Sequence, residues 1–211
     1  MKINLLHSSI LTDYYLSMAP STIKFVDKLK REKKTGKSLS YISTIAMPEV
    51  FTAFSKKYFH DNTGPASLEY YKKKDVFIQE NSRDFKMKKF QPFAVLELNR
   101  YHMVLVHLLY QPVYEYLRIA HAKGLHLGLF PSSIDLLTIT QAIDLTNVYS
   151  DNQVTLITTD KLVADICRYL RGLMLKDKIV FLAGPDKKGV DLVAKYGNLK
   201  SYSYPKVHLV K

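Results

Sequence analysis

Three acidic side chains in the sequence each lie near the predicted start of a helix. Glu49 follows Pro48 in a first helical turn, Asp135 lies three residues after Ser132, and Asp160 directly follows the segment TLITT. Each could serve only as a helix cap, because a carboxylate near a helix N-terminus is stabilised by about 0.3–1 kcal/mol. Together they predict a cation site, because converging carboxylates repel one another and Mg²⁺ binds a few carboxylates with water and phosphate oxygens.

The elements that would position these acids alternate between strands and helices. Short apolar or β-branched segments at 2–7, 154–159 and 178–184 predict strands, and the runs between them have helical periodicity. This alternation predicts an α/β fold, a three-layer α/β/α sandwich around a mostly parallel sheet. Ligands of such sheets gather at the carboxyl ends of the strands, where Asp160 would lie.

A single domain is predicted over residues 1–211, with a helical insertion at 61–124. Inside that insertion, the sequence predicts a helix over 93–122 that Pro112 kinks or divides and Gly124 ends. The insertion is therefore expected to enlarge a more compact α/β core.

Other boundaries follow from local signals. The β-branched segment 40–47 predicts a strand or an extended entry to a helix that begins at Pro48, a residue favoured at the first helical position. The tail over 189–210 predicts a short helix and an edge strand. Further helices are predicted over residues 9–17, 20–34, 132–149 and 161–175.

The net charge is +12, from 31 basic and 19 acidic residues. Basic clusters at 28–37, 56–57, 70–74 and 86–89 are interleaved with Tyr and Phe. Because Lys and Arg neutralise phosphates and aromatic rings stack on unpaired bases, nucleic acid is the predicted partner, and a merely solvated surface is the alternative. The side chains predicted to contact nucleic acid are Lys30, Arg31, Lys33, Lys34, Lys72, Lys73, Lys74 and Ser9.

Other classes of protein are disfavoured by composition. The lone Cys167 excludes an internal disulfide framework and is predicted to be a buried thiol. No segment approaches the roughly 18 apolar residues that span a bilayer, and the N-terminal segment has no clean signal-peptide core. We therefore expect a cytoplasmic protein without membrane contact.

Four segments of the sequence resemble the PIN domain, a family that includes metal-dependent ribonucleases and toxins of type II toxin–antitoxin pairs. SSIDLLTITQAIDL (132–145) resembles the helix with the third family acid, and VTLITTDKLVADICRYL (154–170) resembles the strand and turn with the fourth. YISTIAMPEVFTAF (41–54) resembles the entry to the second-acid helix, and LLHSSILTDYYL (5–16) resembles the opening strand and helix. The resemblance implies a PIN-like fold.

Matched by position, the resemblance implies that Glu49, Asp135 and Asp160 are catalytic acids that hold Mg²⁺ or Mn²⁺. The chain departs from the family at the first acid, where an Asp followed by Ser or Thr is replaced by His7. A neutral imidazole can bind Mn²⁺ but is a poor ligand for Mg²⁺, so His7 is either a metal ligand or an ordinary strand-end residue. Ser9 could hydrogen-bond a phosphate or a metal-bound water, or cap the next helix.

Three functions are compatible with these features. The first is a metal-dependent endoribonuclease, in which the resemblance implies attack of a metal-activated water on the RNA phosphate without a covalent intermediate. The second is a non-catalytic PIN-like scaffold that binds RNA, a protein partner or a second copy, which the missing first Asp favours. The third is a toxin-like subunit controlled by an antitoxin peptide, with the apolar helix over 93–110 as its interface or simply as core.

Overall fold

A computed structural model of the chain describes residues 1–59, 68–81, 91–172 and 204–210, which contain one five-stranded sheet. Each strand pairing in these residues is parallel. The strands are β1 (Lys2–Leu6), β2 (Ser38–Ser43), β3 (Ala94–Leu96), β4 (Gln153–Thr158) and β5 (Lys206–Leu209). The helices are α1 (Ser8–Tyr15), α2 (Pro20–Lys34), α3 (Ala46–Phe59), α4 (Leu68–Asn81), α5 (Arg100–Ala122), α6 (Ser133–Val148) and α7 (Lys161–Gly172).

Helices cover both faces of the sheet, so the predicted three-layer α/β/α class is confirmed. Successive side chains of a strand point to opposite faces, and the central strands are apolar on both. Leu5 and Leu156 pack in a core with α5, α6 and α7. Leu6 and Ile157 pack in a second core with α1, α2, α3 and α4.

The strand order is β3-β2-β1-β4-β5. The chain therefore builds outward from β1 through β2 to β3, then crosses to the other side of β1 to add β4 and β5. The direction of building reverses between β1 and β4. In open parallel sheets, the crevice outside the carboxyl ends of the strands at this reversal is the usual ligand position.

Most predicted elements are confirmed, with shifted boundaries at α3. The helix begins at Ala46 rather than Pro48, because the first backbone N–H groups of a helix need no partner and proline is therefore tolerated within the first turn. The edge strand predicted in the tail is β5. The strand predicted at 178–184 lies outside the described residues.

The predicted helix over 93–122 is wrong at its start. Ala94–Leu96 form β3, which pairs with β2, and the helix begins at Arg100. The side chain of Asn99 accepts hydrogen bonds from the backbone N–H of Tyr101 and His102 and fixes that start. The segment predicted as an insertion thus contributes a strand to the central sheet.

The helix α5 runs without a break through Pro112 to Ala122. Gly124 ends it, as predicted: its φ is 72°, its N–H bonds the carbonyl of His121, and the N–H of Leu125 bonds that of Ala120. This pair of bonds is a Schellman motif, which favours glycine at the left-handed position.

The predicted burial of Cys167 is also confirmed. The side chain is 3% exposed, and burial raises the pKa of its thiol to about 12. A thiol that stays protonated is unreactive as a nucleophile. Among the residues that the structure describes, no helix is both long enough and apolar enough to cross a membrane.

Candidate functional site at the carboxyl edge of the sheet

The end of β1 and the end of β4 lie side by side at the reversal of strand order. Leu6 is in register with Ile157, and the backbone N–H of His7 donates to the carbonyl of Ile157 at 2.9 Å. His7 therefore follows β1 at the sheet edge where Thr158 ends β4. Two of the candidate residues, Ser9 and Asp160, follow these strand ends within three residues.

The imidazole of His7 is held through both of its nitrogens. It caps α1, because the backbone N–H of Ser9 donates to Nδ1 at 3.3 Å. Since Nδ1 accepts, Nε2 carries the proton and donates to Oδ1 of Asp135 at 2.9 Å. The residue is 3% exposed. His7 thus links the start of α1 to the start of α6 across 128 positions of sequence.

Asp135 accepts hydrogen bonds at both carboxylate oxygens. Oδ1 accepts from His7, and Oδ2 accepts from the backbone N–H of Ser132 at 2.6 Å. The hydroxyl of Ser132 accepts in return from the backbone N–H of Asp135, which completes the capping box that their spacing predicts. Burial raises the pKa of Asp135, but the bonds from His7 and Ser132 outweigh it and leave that pKa below its usual value.

A chain of hydroxyl groups continues from α1 to α7. The hydroxyl of Ser9 accepts from the backbone N–H of Thr159 at 3.1 Å and lies 3.2 Å from the hydroxyl of Thr158. The hydroxyl of Thr158 accepts from the backbone N–H of Asp160, and Oδ1 of Asp160 accepts from the N–H of Val163 at 3.1 Å. Asp160 is therefore placed as the N-cap of α7.

A divalent cation does not fit this arrangement of donors. Nδ1 of His7 already accepts and Nε2 carries a proton, so the imidazole offers no lone pair to Mg²⁺ or Mn²⁺, and its Nε2–H occupies the side of Asp135 that a cation would share with it. Glu49 lies half-buried in the first turn of α3. In the described ranges, no three side chains of His, Cys, Asp or Glu form a group that could hold a metal ion, so Glu49 and Asp160 complete no ligand set around the pair.

The basic residues predicted to bind nucleic acid lie on α2 and α4, on the opposite face of the sheet from α6 and α7. Lys30 joins the two helices, because its ammonium group donates to both oxygens of Glu80 at 2.7 and 2.8 Å. Its side chain is only 15% exposed, so its charge is compensated inside the protein. Lys33 donates to the carbonyl of Gln91, and burial lowers its pKa.

The other basic side chains of α2 and α4 differ in how far they are engaged. Arg31 and Lys72 are exposed. Lys73 pairs with Glu69 at 3.2 Å, and Lys74 lies over two tyrosine rings at 5.5 Å. The helix α2 has six basic and two acidic residues, whereas α4 has three of each. The excess of positive charge in this layer therefore belongs to α2.

Two features of the structure have no counterpart in the predicted site. Thr158 connects Ser9 to Asp160, and Tyr14 accepts a hydrogen bond from Lys30 while donating to Asp27. The position of Thr158 at the end of a predicted strand was a usable signal, since strand ends meet at one edge. The contacts of Tyr14 join helices whose packing the sequence pattern does not specify.

Comparisons with known proteins do not assign the chain to a family. No protein-family model matches it, and no curated protein matches it significantly. Among solved structures, it is similar to the crystal structure of VapBC2 from Rickettsia felis bound to a DNA fragment from their promoter. The TM-score is 0.42 at 16% identity, over 75% of this chain and 87% of that one.

Proposed function

We propose that the chain is a PIN-like domain that binds RNA through the basic helical layer and does not cleave it. The observation that carries the proposal is the hydrogen bond from Nε2 of His7 to Asp135. A protonated nitrogen donor stands where the resemblance implies the first carboxylate. Its hydrogen bond satisfies Oδ1 of Asp135 without a cation.

RNA binding is supported by the charge distribution. The net charge of +12 suits a polyanion, and α2 presents Lys24, Lys28 and Arg31 at helical spacing on its exposed side. This contact with RNA does not involve His7 or Asp135 at the sheet edge. The two activities, binding and cleavage, are therefore separable by position in the fold.

The competing function is a metal-dependent endoribonuclease. For that function, His7 would have to turn its Nε2–H away from Asp135, because a cation at this edge needs the place that this hydrogen occupies. This turn leaves the buried imidazole without its partner, which costs about 1–3 kcal/mol. The free energy of metal binding would have to exceed this cost.

The test measures binding and cleavage on the same labelled single-stranded RNA, with EDTA or with Mg²⁺ or Mn²⁺. The wild type is expected to bind RNA in EDTA as well as with metal, to leave the RNA intact, and to melt at an unchanged temperature with metal. Metal-dependent cleavage that Asp135→Asn abolishes would overturn the proposal in favour of the nuclease. Absence of RNA binding at low salt would overturn the RNA-binding part.

A further inference from the structure

A cavity of about 280 Å³ opens between α1, α2 and α4, away from the carboxyl edge of the sheet. Its described lining combines the aromatic rings of Tyr14 and Tyr15 with the aliphatic side chains of Ile23 and Val76. This volume is near the lower end of the roughly 300–1,000 Å³ typical of ligand pockets. The cavity therefore suits one small ligand with a flat apolar part.

Cationic groups lie at the same cavity. Lys72 and Lys73 belong to its lining, and Lys72 is exposed. The ammonium group of Lys73 donates to the hydroxyl of Ser17 at 3.2 Å and pairs with Glu69. Within the described part of the chain, Lys72 makes no ion pair. It is therefore available to an anionic group on a ligand, next to a second, already positioned lysine.

The aromatic side of the cavity is fixed by a hydrogen-bond network behind it. The hydroxyl of Tyr15 donates to Glu80 at 2.7 Å, and Lys30 donates to the hydroxyl of Tyr14 at 2.8 Å. The two rings meet edge to face with centroids 4.9 Å apart. Burial and the neighbouring acids raise the pKa of Tyr14 far above its usual value, so its hydroxyl stays protonated and keeps donating to Asp27.

Preorganised walls reduce the cost of binding, because fewer side chains must be ordered when the ligand enters. An apolar, partly aromatic wall next to an exposed lysine matches a ligand that joins a flat ring to a phosphate. Inorganic phosphate would leave the apolar wall unused, and an uncharged ring would leave Lys72 unused. One nucleotide satisfies both parts.

We propose that this cavity binds a single nucleoside monophosphate unit, with its base against Tyr14, Ile23 and Val76 and its phosphate at Lys72. The proposal rests on the RNA-binding function inferred above and deepens it: the unit would be a nucleotide turned out of a single strand. A free mononucleotide has the same chemistry, and the experiment separates the two sources.

The first measurement is binding of adenosine 5′-monophosphate, adenosine and inorganic phosphate to the wild type, followed by protein and ligand NMR. We expect the monophosphate to bind more tightly than either part, with saturation transfer greatest at the base protons. Lys72→Glu and Val76→Glu should each weaken its binding by about fivefold or more, because base stacking and phosphate contact are each worth at least about 1 kcal/mol.

Two matched controls test the position of the effect. Ile78→Glu makes the same chemical change as Val76→Glu on the same helix, at a residue that is exposed but does not belong to the described lining. Lys161→Glu repeats the charge reversal at the start of α7, on the other side of the sheet. Both should bind the monophosphate as the wild type does. No binding, or equal losses in the controls, would overturn the pocket.

A single-stranded oligoadenylate completes the experiment. If the pocket binds one nucleotide of a strand, Lys72→Glu and Val76→Glu should weaken the binding of the oligonucleotide as well as that of the monophosphate. Oligonucleotide binding that depends on α2 but not on these two residues would refute the pocket and leave the proposed function standing. Monophosphate binding without oligonucleotide binding would refute RNA binding and identify a free nucleotide as the ligand.

Discussion

The sheet edge and the helical layer of α1, α2 and α4 treat their charged side chains in opposite ways. At the edge, His7 and Asp135 use their hydrogen-bonding atoms on each other and on backbone N–H groups. In the layer, Lys30 is compensated by Glu80, but Arg31 and Lys72 are exposed. The edge is closed by internal bonds, whereas the layer keeps positive charge available to a partner.

This difference shows that residue types at expected positions do not by themselves make a site. An imidazole whose Nδ1 accepts and whose Nε2 donates has no lone pair left for a cation. A lysine that is exposed near a preformed cavity keeps its capacity for an anion. Two kinds of substitution test this difference: one adds a carboxylate at the sheet edge, and the other reverses the charge of exposed residues in the helical layer.

The largest effect is expected for His7→Asp. This change removes the Nε2 donor and places a second carboxylate beside the partly buried Asp135, so the free energy of unfolding in EDTA should fall by about 3–5 kcal/mol. Mg²⁺ or Mn²⁺ should restore much of the loss, because two carboxylates then face one cation. Chemical denaturation with and without metal measures both effects.

His7→Asn is the matched control. Asparagine has the same shape as aspartate, but it has an N–H donor for Asp135 and no charge, and it caps α1 well. It should lose less stability and gain nothing from metal. If His7→Asp were as stable as the wild type in EDTA, the edge would not depend on the pair. The contrast with the helical layer would then be lost.

The second effect concerns the layer. The double variant Lys28→Glu with Arg31→Glu reverses two exposed charges of α2. It should weaken the binding of single-stranded RNA by about tenfold or more at low salt and reduce the salt dependence of that binding. Lys30→Gln is the informative comparison, because Lys30 is bonded to Glu80 and Tyr14. It should lower stability more than RNA affinity, as fluorescence anisotropy and thermal melting would show.

If Lys30→Gln instead lost as much RNA affinity as the double reversal without loss of stability, the division between structural and binding lysines would be wrong. The slope of log binding constant against log salt concentration is an independent measure, since each lost phosphate contact should change it by roughly 0.7–0.9.

The third effect is the pH dependence that Asp135 contributes. Its folded pKa is depressed below its usual value, so its contribution is fully present above the unfolded pKa of about 3.9 and is lost as pH falls through the lower folded value. Asp135→Asn should cost about 1–2 kcal/mol at neutral pH, because it replaces hydrogen bonds to a charged acceptor by neutral ones. The difference between the two proteins should shrink below about pH 4.

Denaturation of wild type and Asp135→Asn between acid and neutral pH measures this difference. A difference that stayed constant through the acid range would mean that the carboxylate does not titrate with folding. The edge would then hold Asp135 by geometry alone rather than by charge.

Much of the fold was predictable because its signals are local. The β-branched run at 154–159 and the Ser132–Asp135 spacing each need only neighbouring residues, and both are confirmed. The strand β3 was missed because its three residues lie in an apolar run that also suits a helix, and only pairing with β2 selects the strand.

The candidate site was less predictable for the same reason. The resemblance placed His7 beside the acids, but its choice of Asp135 as acceptor depends on a contact across 128 residues. The cavity between α1, α2 and α4 depends on how three helices pack, to which periodicity gives no angle or distance. The residue pattern therefore identifies the candidates, but only the three-dimensional structure shows which of them can still bind a ligand.

The smallest effect is expected at Asp160, the residue that directly follows TLITT. Its Oδ1 accepts from the N–H of Val163, and asparagine caps a helix as well as aspartate does, so Asp160→Asn should change stability by less than about 1 kcal/mol. Asp160→Ala removes the acceptor and should cost about 1 kcal/mol. Metal should shift the melting temperature of none of the three proteins. A response to metal in the wild type that Asp160→Asn removes would instead make this carboxylate a ligand, and the edge would then be an open site like the helical layer.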